Sequence, residues 1–254
     1  MIPLKPSMFF IVCPLLFLTG FVDAIGGGGG LISLPAYLFA GLPVHMAIAT
    51  NKLSSACGTC LVTARYIRSG MVTARLVPPT VLAAFCGSFL GAQLSLRMDE
   101  QIMKTLLIFV LPAAAFVVLN RHLFSDEAGS HFALDRRTFC LCTLSAFVIG
   151  AYDGFYGPGT GTFLIIAFTA LAGMPMGMAN GQAKVINLTT NLTSLAVFLA
   201  SGQVVWALGL AGAACNMAGS YLGSGLAIRK GAKIVRPVIL AVLLLLFIKI
   251  LTGF

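Results

Sequence analysis

The chain has 254 residues, of which 59% are hydrophobic and only 9% charged, with a formal net charge of +9. So little polar surface excludes an ordinary soluble domain of this size and indicates an integral membrane protein. The basic residues cluster at the ends of apolar segments, where they set orientation across a bilayer, so the lipid bilayer is an expected partner and nucleic acid is not.

Apolar stretches cover residues 7–24, 31–42, 44–69, 72–96, 102–119, 138–152, 161–173, 177–201, 203–228 and 234–251. Several reach the ~20 residues that a membrane-crossing helix needs, whereas 31–42 and 161–173 are too short and read as half-helices. The runs are continuous and do not alternate, which argues against a barrel and for an all-α polytopic fold. The first stretch follows Lys5 and has the length of a signal-peptide core. Its repeat partner at 138–152 is internal, so both are expected to belong to the fold.

That repeat organises the whole chain. Gly41 and Pro43 match Gly173 and Pro175, Lys52 matches Lys184, and Ser69-Gly70 match Ser201-Gly202, all at a spacing of 132. Upstream, Gly20 and Asp23 match Gly150 and Asp153 at a spacing of 130. The expected organisation is a first transmembrane repeat over 1–120, a polar linker over 121–137 and a second transmembrane repeat over 138–254, each built from four segments. Internal repeats of apolar segments are the usual architecture of secondary transporters, with the site where the copies meet.

Charge distribution chooses between parallel and inverted halves. Arg65, Arg68 and Arg75 flank the loop near residue 70, while the matching loop near 202 is uncharged; Arg229, Lys230, Lys233 and Arg236 crowd the last turn, while its partner near 98 mixes Arg97 and Lys104 with Asp99 and Glu100. Matched loops with opposite loads are what inversion requires. The inverted arrangement gathers Arg65, Arg68, Arg75, Arg121, Arg136, Arg137, Arg229, Lys230, Lys233 and Arg236 on one face against Lys5, Arg97, Lys104 and Lys249 on the other, ten against four. A parallel arrangement divides them eight against six. Inversion puts both termini outside the cytoplasm.

The polar residues inside apolar segments carry the chemistry. Gly26-Gly27-Gly28-Gly29-Gly30 corresponds to Gly157-Pro158-Gly159-Thr160-Gly161. Glycine costs about 1 kcal/mol and proline about 3 in a helix interior, so both runs are expected to break a helix. A break at membrane depth lines a cavity or is buried in protein, and the N–H groups of Gly27, Gly28, Gly29, Gly30, Gly157, Gly159 and Gly161 suit an anion. A tight loop at the membrane surface is the other reading.

On the next segment Lys52, Ser55 and Thr59 share one helical face, as do Lys184, Asn187 and Asn191 in the second copy. Asn51 precedes the first lysine, and Gln182 corresponds to Thr50. Intramembrane charges are costly and find partners or water. Either the lysines converge on an anion near the midplane, or Asp23 neutralises Lys52 and Asp153 neutralises Lys184 as ion pairs; a pair that opens for substrate does both and offers a route for protons.

Ala83, Gly87, Gly91 and Ser95, with Cys215, Gly219, Gly223 and Ala227, form small-residue stripes for close helix packing and a candidate homo-oligomer face. Cys57 and Cys60 lie one turn apart and could serve a membrane enzyme handling sulfur, yet no acid, base or metal constellation accompanies them. His45, His122 and His131 lack metal spacing. No cofactor, metal or catalytic residue is expected.

These residues resemble the TauE/SafE family of sulfite exporters. The resemblance runs through the glycine run before Leu31, Gly41-Leu42-Pro43, Ala49-Thr50-Asn51-Lys52-Leu53, and the second copy through Lys184 and Asn187 to Asn191. It implies a multi-pass transporter of the bacterial inner membrane that moves a small anion, a sulfur oxyanion or organosulfonate. Keeping both Asp23 and Asp153 departs from a simple anion clamp. A passive anion channel is the alternative within the same reading.

Overall fold

The computed structural model describes residues 4–103, 105–106, 109–110, 116 and 132–230. The stretches 102–119 and 234–251 lie largely or wholly outside these residues, as do His122, His131, and the linker up to residue 131. Among the described residues eight helices carry the architecture: α1 Pro6–Gly26, α2 Gly30–Phe39, α3 Val44–Arg68, α4 Val77–Arg97, α5 Arg136–Phe155, α6 Thr160–Ile166, α7 Met176–Ala200 and α8 Trp206–Lys230. A 3-10 turn, Ala74–Leu76, leads into α4, and α6 continues through a π turn, Ala167–Leu171. The fold is all-helical among the described residues, and four helices are long and apolar enough to cross a membrane: Pro6–Gly26, Ala74–Arg97, Arg136–Phe155 and Met176–Ala200.

The glycine runs break the chain as their composition requires. Between α1 and α2, Gly27 and Gly28 take φ values of +77° and +82°, and between α5 and α6, Gly157 and Gly159 take +99° and +85°. L side chains rarely adopt these conformations. The short stretches are half-helices, ten residues at Gly30–Phe39 and twelve at Thr160–Leu171.

Side-chain contacts fix the directions of the long helices. Asn180 meets Tyr66 and, four residues on, the carbonyl of Lys184 meets Thr63, so α3 and α7 run antiparallel. Gln182 meets Thr80 and the carbonyl of Thr190 meets Ser88, so α4 runs with α7. Thr50 accepts from the Val205 N–H and Arg65 donates to the Tyr221 carbonyl, so α8 runs with α3. Close glycine contacts add α1 to the α8 direction, through Gly219 on Phe17 and Gly223 on Phe21, and α5 to the α4 direction, through Gly87 on Phe147 and Gly91 on Ala151.

Thus α1, α3 and α8 point one way and α4, α5 and α7 the other. The small-residue stripes are spent inside the chain: their glycines press on backbone of α1 and α5, the close approach that membrane helices achieve with small residues. Outer faces carry Phe10, Leu82, Leu90 and Leu144, all exposed, whereas α3 and α7 hold most of the buried polar groups at the centre.

Candidate ion site at the crossing of the two helix breaks

The breaks meet each other. A Cβ on Gly27 would strike the backbone of Gly161 and Thr162, one on Gly161 would come within 2.9 Å of Gly27 Cα, and one on Gly30 would come within 3.0 Å of Pro158 Cα. Thr162 donates its hydroxyl to the Gly26 carbonyl at 3.2 Å. Only chains without side chains at these positions can cross so closely.

Helix α1 ends here, and the last carbonyls of a helix have no partner within it. Side chains from elsewhere meet them: Asp23 O, which also takes the Gly27 N–H at 3.0 Å, accepts from Lys184 Nζ, Ala24 O from the Tyr66 hydroxyl at 3.1 Å, Ile25 O from Asn180 Nδ2 at 2.7 Å, and Gly26 O from Thr162. The ammonium also sits against the negative end of the helix dipole. Lys52 plays the same part for α5, donating to Asp153 O at 2.7 Å and to Asp153 Oδ2 at 2.8 Å.

Each lysine therefore pairs with the aspartate of the other half. Lys52 binds Asp153 and Lys184 binds Asp23, the latter with Nζ 2.9 Å from Oδ2. This corrects the expected pairing of Asp23 with Lys52 and of Asp153 with Lys184. The reason is the crossing: each break lies across the interface, so its helix end faces the long central helix of the opposite repeat. Burial of such charges is tolerable only when every member is paired.

A cavity of about 30 Å³ lies beside the crossing, lined by Asp23, Asn51, Lys52, Ser55, Asp153, Asn187 and Asn191, and by Gly28, Gly29, Gly30, Gly157, Gly159 and Gly161. It has room for about one or two water molecules. Three expected site residues stand outside it. Gly27 is taken up by the backbone crossing; Gln182 is fully buried and donates to Thr80 Oγ1 at 3.3 Å; Lys184 is behind Asp23, fully buried. The lining also includes Thr19, Thr59, Thr160 and Asn216. Thr59 shares the face of Lys52, but Thr19 and Asn216 break the repeat, standing where Ile149 and Ala84 stand in the other copy.

The backbone donors are partly committed. Gly29 N–H donates to Asp23 Oδ1 at 3.3 Å. Asp153 is held more tightly, its Oδ1 accepting from the Thr160 hydroxyl at 2.7 Å. Cys57 is half-buried and Cys60 exposed, and neither lines the cavity. No group of three metal-ligating side chains occurs among the described residues.

The family model described as sulfite exporter TauE/SafE matches residues 12–250. The chain belongs to the TauE/SafE family. It is 37% identical to a probable membrane transporter protein of Haemophilus influenzae over 88% of this chain and 86% of that one. It is 36% identical to the probable membrane transporter protein ORF9 of a Sinorhizobium species, over 93% and 90%. A third relative, the probable membrane transporter protein YfcA of Escherichia coli K12, is 33% identical over 96% and 93%. No solved structure matches the chain at a significant level. The chain is thus a membrane transporter of this TauE/SafE family.

Proposed function

We propose that this TauE/SafE member carries a small anion, a sulfur oxyanion or organosulfonate, across the bacterial inner membrane by alternating access between inverted halves. The observation that carries the reading is the cavity at the crossing of two discontinuous helices, where Lys52 meets hydroxyl and carboxamide side chains. Broken helices of this kind surround substrates near the bilayer midplane in secondary transporters. Lys52 has three N–H donors and spends two on Asp153. Asn51, Ser55, Asn187 and Asn191 can orient oxygen atoms of a ligand, and uncommitted N–H groups of the glycine breaks beside the cavity can add neutral donors.

The helix directions support inversion. Each repeat partner, α1 with α5, α3 with α7 and α4 with α8, runs opposite to its mate, and the two-fold relating them then lies in the membrane plane. On that arrangement Arg65, Arg68, Arg75, Arg136, Arg137 and Arg229 share one face, against Lys5 and Arg97 on the other. The positive-inside rule makes the first face cytoplasmic.

The test is transport by purified protein in sealed vesicles over a panel of sulfite, thiosulfate, short alkanesulfonates and carboxylates. Saturable movement of a sulfur anion is the expected result. Movement of none of them, or of carboxylates alone, overturns the substrate class.

A further inference from the structure

The two lysine–aspartate pairs are equivalent in sequence and unequal in space. Around Lys52–Asp153 both side chains are almost wholly buried, 2% and 3% exposed, and both line the cavity. In the other pair Lys184 is fully buried and away from the cavity wall, whereas Asp23 is 18% exposed and lines it. Asp23 is also the less firmly held carboxylate, since its second oxygen takes a 3.3 Å bond from Gly29 N–H where Asp153 takes a 2.7 Å bond from Thr160.

Two ammonium groups and two carboxylates sum to zero. A lone anion entering such a site adds an uncompensated charge to a confined space inside the helix bundle, which is unfavourable. The charge can be balanced by one proton on a carboxylate, and the carboxylate that is partly exposed at the cavity is Asp23. Protonating it does not release Lys184, because that ammonium is also held by the Asp23 backbone carbonyl. The ammonium then remains fixed with its charge unopposed, a few ångströms behind the cavity wall. The charged and titratable groups around Asp23 are Lys184 on α7, Lys52 and Tyr66 on α3, and Asp153 on α5.

We propose that Asp23 is the proton carrier of the transport cycle: one proton binds Asp23 as one monovalent anion enters the cavity, and both leave together on the far side. The inference rests on the anion-transport reading and adds to it the coupling ion, the residue that holds it and the stoichiometry. Asp153, doubly engaged and buried, stays the structural partner of Lys52.

The experiment measures proton and anion movement together in sealed vesicles holding the purified full-length protein. The probe is whichever sulfonate of the panel it transports, or thiosulfate if it moves none, because these bring no proton of their own near neutral pH. The parental protein is expected to move about one proton per sulfonate, at a rate indifferent to a potassium–valinomycin membrane potential. With thiosulfate, one proton leaves one negative charge to move, and the rate then responds to the potential. In Asp23→Asn the proton-to-anion ratio is expected to fall to near zero in whatever transport remains, and in Asp23→Glu to return to the parental value. A sulfonate moved without protons and driven by the potential overturns the inference with the parental protein alone, even if Asp23→Asn fails to fold. An unchanged ratio in a folded Asp23→Asn overturns the assignment to this residue. Movement of no sulfur anion at all instead removes the transport reading on which the inference stands.

Discussion

Lys52 and Lys184 occupy the same position in the two repeats, cap the same kind of broken helix, and face opposite fates. Lys52 borders the cavity, while Lys184 is shut behind its aspartate. The contrast shows that a sequence repeat fixes the chemistry of a position without fixing its access to the site.

The largest expected effect separates the lysines. Lys52→Ala removes a cavity charge and strands Asp153 among groups almost wholly shielded from water, a loss that costs ~3–5 kcal/mol for a buried pair. Lys184→Ala strands Asp23, whose side chain is 18% exposed. Thermal unfolding in detergent is expected to show the greater loss for Lys52→Ala, and anion affinity is expected to fall at least tenfold there and less in Lys184→Ala. Equal effects in both assays would erase the distinction between the two pairs.

A second contrast lies within one break. Alanine at Gly27 would drive its Cβ into the backbone of Gly161 and Thr162, which cannot yield without moving the crossing. At Gly28 the same atom meets the Thr162 hydroxyl at 3.3 Å beside the cavity. Both positions have positive φ, a strain of about 1–3 kcal/mol for a side chain. Gly27→Ala should therefore lower thermal stability well beyond Gly28→Ala, while Gly28→Ala should lower anion affinity more than its stability loss explains. Parental affinity in a folded Gly28→Ala would take that glycine out of the site.

The smallest effect belongs to Gln182. Thr50, its repeat partner, anchors Val205, and Gln182 reaches Thr80 while its own Oε1 has no hydrogen-bond partner. Gln182→Leu should keep transport within about twofold and stability within about 1 kcal/mol, because one net hydrogen bond is lost and one unsatisfied oxygen is removed. A tenfold loss of transport would return Gln182 to the site.

Much of this fold is legible in the sequence because membrane helices announce themselves by length and apolarity. The stretch 44–69 became Val44–Arg68 and 177–201 became Met176–Ala200, and the glycine runs broke their helices for the conformational reason expected of them. The ion pairs were misread because the repeat aligns residues within each half, whereas pairing depends on how the halves cross. In the structure the end of each broken helix faces the central helix of the other half. Thr19 and Asn216 went unrecognised because they have apolar counterparts, Ile149 and Ala84, and a search for matched polar residues passes over them. Gln182 matches a polar residue, Thr50, and both make helix contacts outside the cavity.

The central claim, that two inverted halves meet at one ion site, is tested most directly by the sidedness of one repeat-related pair. Ser69 and Ser201 match in sequence, and both are exposed or partly buried in the loops that follow α3 and α7. Single cysteines at these positions, introduced into a functional cysteine-free background, would be labelled in intact cells by a membrane-impermeant maleimide before and after permeabilisation. Inverted halves predict that Ser201→Cys reacts from outside while Ser69→Cys reacts only once the cytoplasmic face is opened. Reaction of both from the same side would contradict inversion, and with it the account of how the two halves share their site.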